Sequence, residues 1–444
     1  MVSSAVSTVH LSQQQLNNKH FNGAVMKGSA MDLLELFPPG TRRDGDGMLV
    51  VGGCRLDDLA AEFGTAVYIV DEDALRARAR EFTGELASRW PNSQVIFASK
   101  AFPCTAGYRV MASEGLGVDV AGSGELAMAL AGGVPAADLV MHGNAKSDSD
   151  LSMAIDAGVG TVVVDNFDDI DRLERLVSGE QAVLVRLIPG IRAQTHEAVA
   201  TGHEGSKFGL SPADARRAVE RLRHSDRLRL DGVHVHVGSQ ILDAAPLAQA
   251  AQAAAALGDF DVYDLGGGLG ARYTYDEHPP TVAEYIQALT DTAKAHLPSA
   301  ARILIEPGRS MVARSGITVY RVVSVKSGDP TFVAVDGGMG DNLEVSLYGQ
   351  RFEATIADRV GGGDLVDLVG RHCESGDRLI AGVRLDDPKV GDLVAVPVTG
   401  AYCLTMANNY NGSLRPPVVF AGGGSARAVL RRETFEDLML RDLP

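Results

Sequence analysis

Several side chains in this sequence have types and spacings suited to chemistry at one polar site. Lys100 closes the apolar run "VIFASK", where partial desolvation would lower the amine's pKa as a Schiff-base lysine requires. "EPGRS" (306 to 310) sets Glu306 three residues before Arg309, a carboxylate suited to a ring N–H and a guanidinium suited to a phosphate or carboxylate. "HVHVGSQ" alternates, so His234 and His236 share one face of a strand and Ser239 lies in the following loop. "DLGGGLG" (264 to 270) contains Gly266, Gly267 and Gly268, whose backbone N–H groups could approach a phosphate closely. "HCESGD" (372 to 377) places the Cys373 thiol beside the Glu374 carboxylate, a donor and acceptor for a substrate. "MGDNLEVSLYG" (339 to 349) reads as a loop holding Asp341, Glu344 and Tyr348, in which Glu344 should prefer a cation or an amine.

Taken singly, these motifs have plainer readings: a solvated strand-end lysine, a glycine turn, a surface ion pair, an inert thiol. Two histidines on one face could be zinc ligands, but no third ligand motif lies nearby in the sequence, and no metal is expected.

The elements around these residues decide between the readings. From about residue 94 to 310, short runs rich in Val, Ile and Leu alternate with helical patterns, the signature of parallel βα units. The strands read "QVIFASK", "GVDVAG", "DLVMHG", "TVVVDN", "AVLVRLIP", "DGVHVHVG", "DVYDLGGG" and "ARILIEPGR". Eight is the number that closes a TIM-type (β/α)8 barrel, an α/β fold. Stretches such as "SGELAMALAGG" between them are Ala- and Leu-rich helices with glycine stops.

After residue 312 strand-like runs dominate, so a mostly β second domain is expected over 313–444. The segment 35–70, with "GMLVVGGCRL", should join it, leaving 71–312 as the barrel and 1–34 as a disordered leader.

Composition narrows the partners. The 444 residues are 45% hydrophobic and 22% charged, as in a globular protein, and 41 Lys plus Arg against 57 Asp plus Glu give a formal charge of -16. With no basic cluster, a nucleic-acid partner is not expected. No apolar run reaches the roughly 20 residues that span a bilayer, and the first thirty lack a signal-peptide pattern, so no membrane partner and a cytoplasmic location are expected. Cys54, Cys104, Cys373 and Cys403 are too few and scattered for a disulfide framework.

In a TIM-type barrel the chemistry sits where strands end. Here the strand-end polar residues are Lys100, Asp119, His142 with Asn144, Asp165, Arg186, His236, the glycine run and Glu306. A lysine, a phosphate-binding glycine loop, a ring-stacking histidine and a carboxylate on one barrel mouth describe a site for pyridoxal 5'-phosphate.

The chain resembles the diaminopimelate decarboxylases, members of the alanine-racemase-like and ornithine-decarboxylase-like barrel enzymes that use this cofactor. The motifs "VIFASKAF", "THEAVATGHEGSKFGL", "GVHVHVGSQI", "DLGGGLG", "IEPGRS", "VDGGMGDN", "LYG", "CESGD" and "GAYCLTMANNYNG" occur in the family's order from about residue 35 to the tail. The resemblance implies that Lys100 forms the Schiff base, His236 stacks on the pyridine ring, Ser239 and Gly266 to Gly268 hold the phosphate, and Glu306 pairs with the pyridine N–H. It implies that Arg309 and Tyr402 contact phosphate or substrate, and that Cys373 returns a proton to the α-carbon. Glu374 would bind the distal amine of an amino acid substrate from the partner subunit of a homodimer, and Tyr348 fits the family's "LYG".

One departure stands out. The family carries an Arg-Pro pair shortly before "LYG", and that arginine grips the distal carboxylate of diaminopimelate; here Glu344 and Val345 stand in its place. The expected reaction is decarboxylation of meso-diaminopimelate to L-lysine, with Arg309, Tyr348 or Arg351 holding the distal carboxylate. The alternatives are a decarboxylase for D-lysine, D-ornithine or a specialised amino acid, a non-catalytic pyridoxal phosphate binder, and a racemase, which would need a second acid-base group.

Overall fold

A computed structural model describes residues 34–191, 205–359 and 362–443. The expected leader lies outside these residues except for Leu34, as does "THEAVATGHE" (195 to 204).

Three short strands, β1 (Arg42–Arg43), β2 (Leu49–Val51) and β3 (Cys54–Arg55), form a small antiparallel sheet. β4 (Val67–Asp71) follows, and its Asp71 side chain accepts from the Ala74 N–H to cap the long helix Glu72–Arg89.

The next eight strands close a barrel: β5 (Ser93–Ala98), β6 (Gly117–Val120), β7 (Leu139–Met141), β8 (Thr161–Val164), β9 (Gln181–Leu187), β10 (Leu228–Val235), β11 (Val262–Asp264) and β12 (Arg302–Ile305). All eight neighbour pairings are parallel, and β12 beside β5 completes the ring. Parallel strands covered on both faces need apolar side chains on both, which is why they read as unbroken hydrophobic runs. Val118, Val162, Val183, Val233 and Ile303 are fully buried.

The remaining strands build a β domain: β13 (Gly316–Lys326), β14 (Thr331–Val335), β15 (Thr355–Ile356), β16 (Asp364–Val369), β17 (Arg378–Leu385), β18 (Leu393–Pro397), β19 (Val418–Gly422) and β20 (Ser425–Leu430). β4 lies inside this sheet, antiparallel to β13 and parallel to β19.

The "LEVSLY" segment corrects one expectation: it is a short helix, Leu343–Tyr348, stopped by Gly349 in the left-handed conformation at φ 63°. Its first turn is turned inward, so Glu344 is only 1% exposed. Among the described residues no helix is long and apolar enough to cross a membrane.

Candidate active site

The C-terminal ends of the barrel strands and the adjoining β domain enclose a cavity of about 370 Å³, lined by Lys100, Asp119, His142, Arg186, His236, Ser239, Glu306, Arg309, Tyr348 and Tyr402 among others. Barrel strands deliver most of these groups because their side chains continue past the last strand hydrogen bond into the mouth.

Lys100 sits in the 3-10 turn Ser99–Ala101 that ends β5, and its side chain is accessible because it faces this cavity. Its pKa departs from the expected direction. Burial pulls the ammonium down, but Asp119, Tyr402 and Glu306 together outweigh that pull and hold the group above its ordinary value. Asp119 is fixed by the Ser99 N–H at 2.8 Å, and burial beside Glu306 raises its carboxyl to about 6.

Glu306 follows β12 and is 6% exposed. Its Oε1 lies 2.7 Å from His142 Nε2 and its Oε2 lies 3.2 Å from His234 Nε2. Burial opposes its charge, yet the two histidines outweigh burial and drive the carboxyl well below the ordinary range, so it is ionised. Burial is the largest influence on His234, whose pKa falls to about 4. Asp264, also at hand, is pushed far up by burial and by Glu306. His142, His234, Asp264 and Glu306 are where metal-ligating atoms converge among the described residues, within 4.8 Å of one another. This gathers around His234 the further ligand types that the sequence did not place there. With each Glu306 oxygen already bonded to a histidine, the cluster is better suited to presenting one carboxylate than to caging a cation.

His236 lies just beyond β10, and its Nδ1 accepts from the Gly267 N–H at 3.2 Å. Burial, with Lys100 and Arg186 nearby, takes its pKa well below the ordinary value and leaves a neutral ring. The glycines behind it are required by close packing of three loops. A Cβ on Gly266, at φ +66°, would lie 2.3 Å from the Val235 carbonyl oxygen; one on Gly267 would lie 2.0 Å from the Glu306 carbonyl oxygen. A Cβ on Gly268 would meet the Gly238 carbonyl oxygen at 2.7 Å.

This set fits pyridoxal phosphate on its own chemistry. An ionised buried carboxylate suits a protonated ring nitrogen, a neutral imidazole suits a ring face, a close-packed glycine loop with Ser239 suits a phosphate, and an amine suits an aldehyde.

On the β-domain side the cavity is closed by Arg309, 5% exposed, whose guanidinium lies 4.4 Å from the centre of the Tyr402 ring. Tyr402 is held in the left-handed region at φ 64°, with its N–H donating to the Ala101 carbonyl at 2.7 Å. Arg309 Nη1 donates to Tyr273 Oη at 2.5 Å and to Glu344 Oε1 at 2.8 Å, while Nε donates to Ser239 Oγ at 3.3 Å. Burial works against the charge of Arg309, but Tyr273, Glu344 and Tyr402 more than offset it. Glu344, expected to await a cation from a ligand, thus meets one supplied by the chain. Arg351 pairs with Asp276 at 2.9 Å on the surface and lies outside the cavity lining.

Cys373 and Glu374 do not line this cavity; both are exposed on the loop between β16 and β17. Their loop is nonetheless built. His372 Nδ1 lies 2.8 Å from Asp377 Oδ2, the His372 ring stacks on Tyr410, and the Cys373 N–H donates to Asn411 Oδ1 at 2.9 Å. Tyr410 Oη lies 3.4 Å from Glu374 Oε2.

Sequence reasoning left His142, Asp119, Arg186, His234 and Tyr273 without a role. The first three are visible as polar strand ends, and that position was their signal. Tyr273, in a loop, carried none.

Fold and site together define a class: barrel enzymes dependent on pyridoxal phosphate. Residues 72–313 match the pyridoxal binding domain of the pyridoxal-dependent decarboxylases. The chain is 46% identical over 421 residues to the diaminopimelate decarboxylase of Actinosynnema pretiosum subsp. auranticum, covering 92% of this chain and 95% of that one. It is 42% identical over 432 residues to the diaminopimelate decarboxylase of Bacillus subtilis (strain 168), covering 92% and 98%. The crystal structure of the M. jannaschii diaminopimelate decarboxylase in complex with L-lysine superposes with a TM-score of 0.86 at 28% identity, over 92% of this chain and 98% of that one. The chain belongs to the diaminopimelate decarboxylase family, carboxy-lyases that use pyridoxal phosphate.

Proposed function

We propose that this protein removes one carboxylate of meso-diaminopimelate as CO2, leaving L-lysine, as a cytoplasmic step of lysine biosynthesis. The observation that carries the reading is the ionised Glu306, clamped by His142 and His234 in the cavity that Lys100 faces. Pyridoxal phosphate, when bound, supplies the electron sink that accepts the pair left on the α-carbon as CO2 departs. Glu306 would keep a proton on the ring nitrogen, which is what makes that sink strong. Lys100 would hold the aldehyde carbon, His236 would support the ring face, and Gly266, Gly267, Gly268 and Ser239 would receive the phosphate. Arg309, Tyr348 and Tyr402 orient the far end of the substrate.

The proton that replaces the lost carboxylate comes from the Cys373 thiol, and Glu374 receives the distal amine. Their exposure outside the cavity of their own chain supports a homodimer in which each subunit lends this loop to the other.

The test is to incubate the protein and pyridoxal phosphate with meso-diaminopimelate, D-lysine, D-ornithine and their L-isomers, following CO2 and amine product. L-lysine should form from meso-diaminopimelate. CO2 from D-lysine or D-ornithine with none from meso-diaminopimelate would overturn the reading.

A further inference from the structure

Behind the cavity wall, an acid at position 344 holds the arginine that faces the cavity. Arg309 is a planar, permanently charged fork of the kind that recognises carboxylates, and it is braced on three sides, by Tyr273, Ser239 and the Tyr402 ring. The group it holds is already a carboxylate: Glu344 Oε1, at 2.8 Å. Both side chains are almost wholly buried, at 5% and 1% exposure, so neither charge is shared out to water. Glu344 Oε2 is buried with no hydrogen-bond partner, so this carboxylate is tied at one oxygen only.

The other cations lining the cavity are committed as well. Arg186 lies 3.5 Å from Asp165 and over the Phe208 ring, and Lys100 is the amine reserved for the cofactor. A carboxylate arriving at the far end of a substrate therefore finds the charge of its natural partner already shared with a residue of the chain itself.

We propose that Glu344 is a resident competitor for Arg309: a ligand's distal carboxylate meets a guanidinium whose charge Glu344 already engages, which sets how strongly the pocket prefers ligands that carry that carboxylate. The inference rests on the reading above in taking the Arg309 end of the cavity as the distal end of the substrate. It makes Glu344 a specificity-determining residue that acts through Arg309. A diamino ligand without the second carboxylate leaves the pair undisturbed, whereas one with it must bring a second carboxylate to the guanidinium that Glu344 already holds. L-lysine retains that carboxylate after CO2 loss, so the same competition weakens the hold on product.

The experiment uses the pyridoxal-phosphate-loaded protein and two probes that differ only in the carboxylate, L-lysine and 1,5-diaminopentane. Their dissociation constants are measured by calorimetry for wild type and for Glu344→Gln, which keeps the shape and an acceptor for Arg309 but removes the competing charge. Glu344→Met serves as a second variant, and each is first compared with wild type by thermal unfolding. In the variants L-lysine should bind about tenfold tighter or more relative to 1,5-diaminopentane. An unchanged ratio, or a ratio shifted toward 1,5-diaminopentane, overturns the proposal. Because the readout is affinity, failure to release CO2 from meso-diaminopimelate would sink the proposed reaction while leaving this ratio measurable.

Discussion

His142 Nε2 lies 2.7 Å from Glu306 Oε1, joining the end of β7 to the end of β12 across the barrel mouth. His234 holds the other oxygen, so the carboxylate can neither rotate away nor take up a proton easily.

His142→Ala should therefore leave the fold intact and lower kcat by about ten- to a hundredfold, since a hydrogen bond to a buried charge contributes about 1.5–3 kcal/mol. Steady-state kinetics checks this, and fluorescence titration of cofactor into the apoprotein should show weaker binding. Unchanged values for both would remove the clamp from the mechanism.

Lys100→Ala should abolish the visible absorbance that bound cofactor gives when linked to a lysine, and with it all CO2 release. A Schiff-base band that survives extensive dialysis of the variant would mean that another amine makes the link.

Mixing Lys100→Ala with Cys373→Ala protein, each inactive alone, should recover about a quarter of wild-type activity. Half of randomly paired dimers are mixed and carry one site with both residues intact. If extended incubation of the mixture recovers no activity, the loop is not lent between subunits.

Stability should fall with rising pH through a buried carboxyl of the β domain. Burial pushes the Asp341 carboxyl up to about 7, only partly offset by the Gly338 N–H that it accepts at 2.7 Å. The folded chain binds this proton more tightly than the unfolded chain, where an aspartate titrates near ~3.9. The stabilisation is thus complete below that pH and is lost as pH rises through about 7. Asp341→Asn should remove up to about 3 kcal/mol of this decline, read by denaturant unfolding at pH 5 and pH 8. Glu353, also raised to about 7, contributes a slope of the same sign that the variant keeps.

The barrel was legible because its parallel strands are buried on both faces, which compels runs such as "TVVV" and "VIFA". Lys100, Glu306 and Arg309 were legible because the barrel places its chemistry at strand ends. The partners of those residues were not. His142 and His234 reach Glu306 through strand pairings that only the closed ring establishes, and Arg309 meets Glu344 across 35 residues and a domain boundary. The raised pKa of Lys100 was hidden for the same reason, since Asp119, Tyr402 and Glu306 come from three separate parts of the chain. The six-residue helix holding Glu344 escaped notice because so short a helix leaves little periodicity to read.

β4 takes its place between β13 and β19, so the strand waits for neighbours made long after it. On the ribosome, "VYIVD" emerges just ahead of eight strands of similar apolar character and has none of its own partners to bind. The barrel can round up while translation continues, but its companion sheet is completed only when β19 is released. A nascent chain cut short before β13 is made would carry a finished cofactor barrel preceded by a bare, sticky strand, a ready target for chaperones and quality-control proteases.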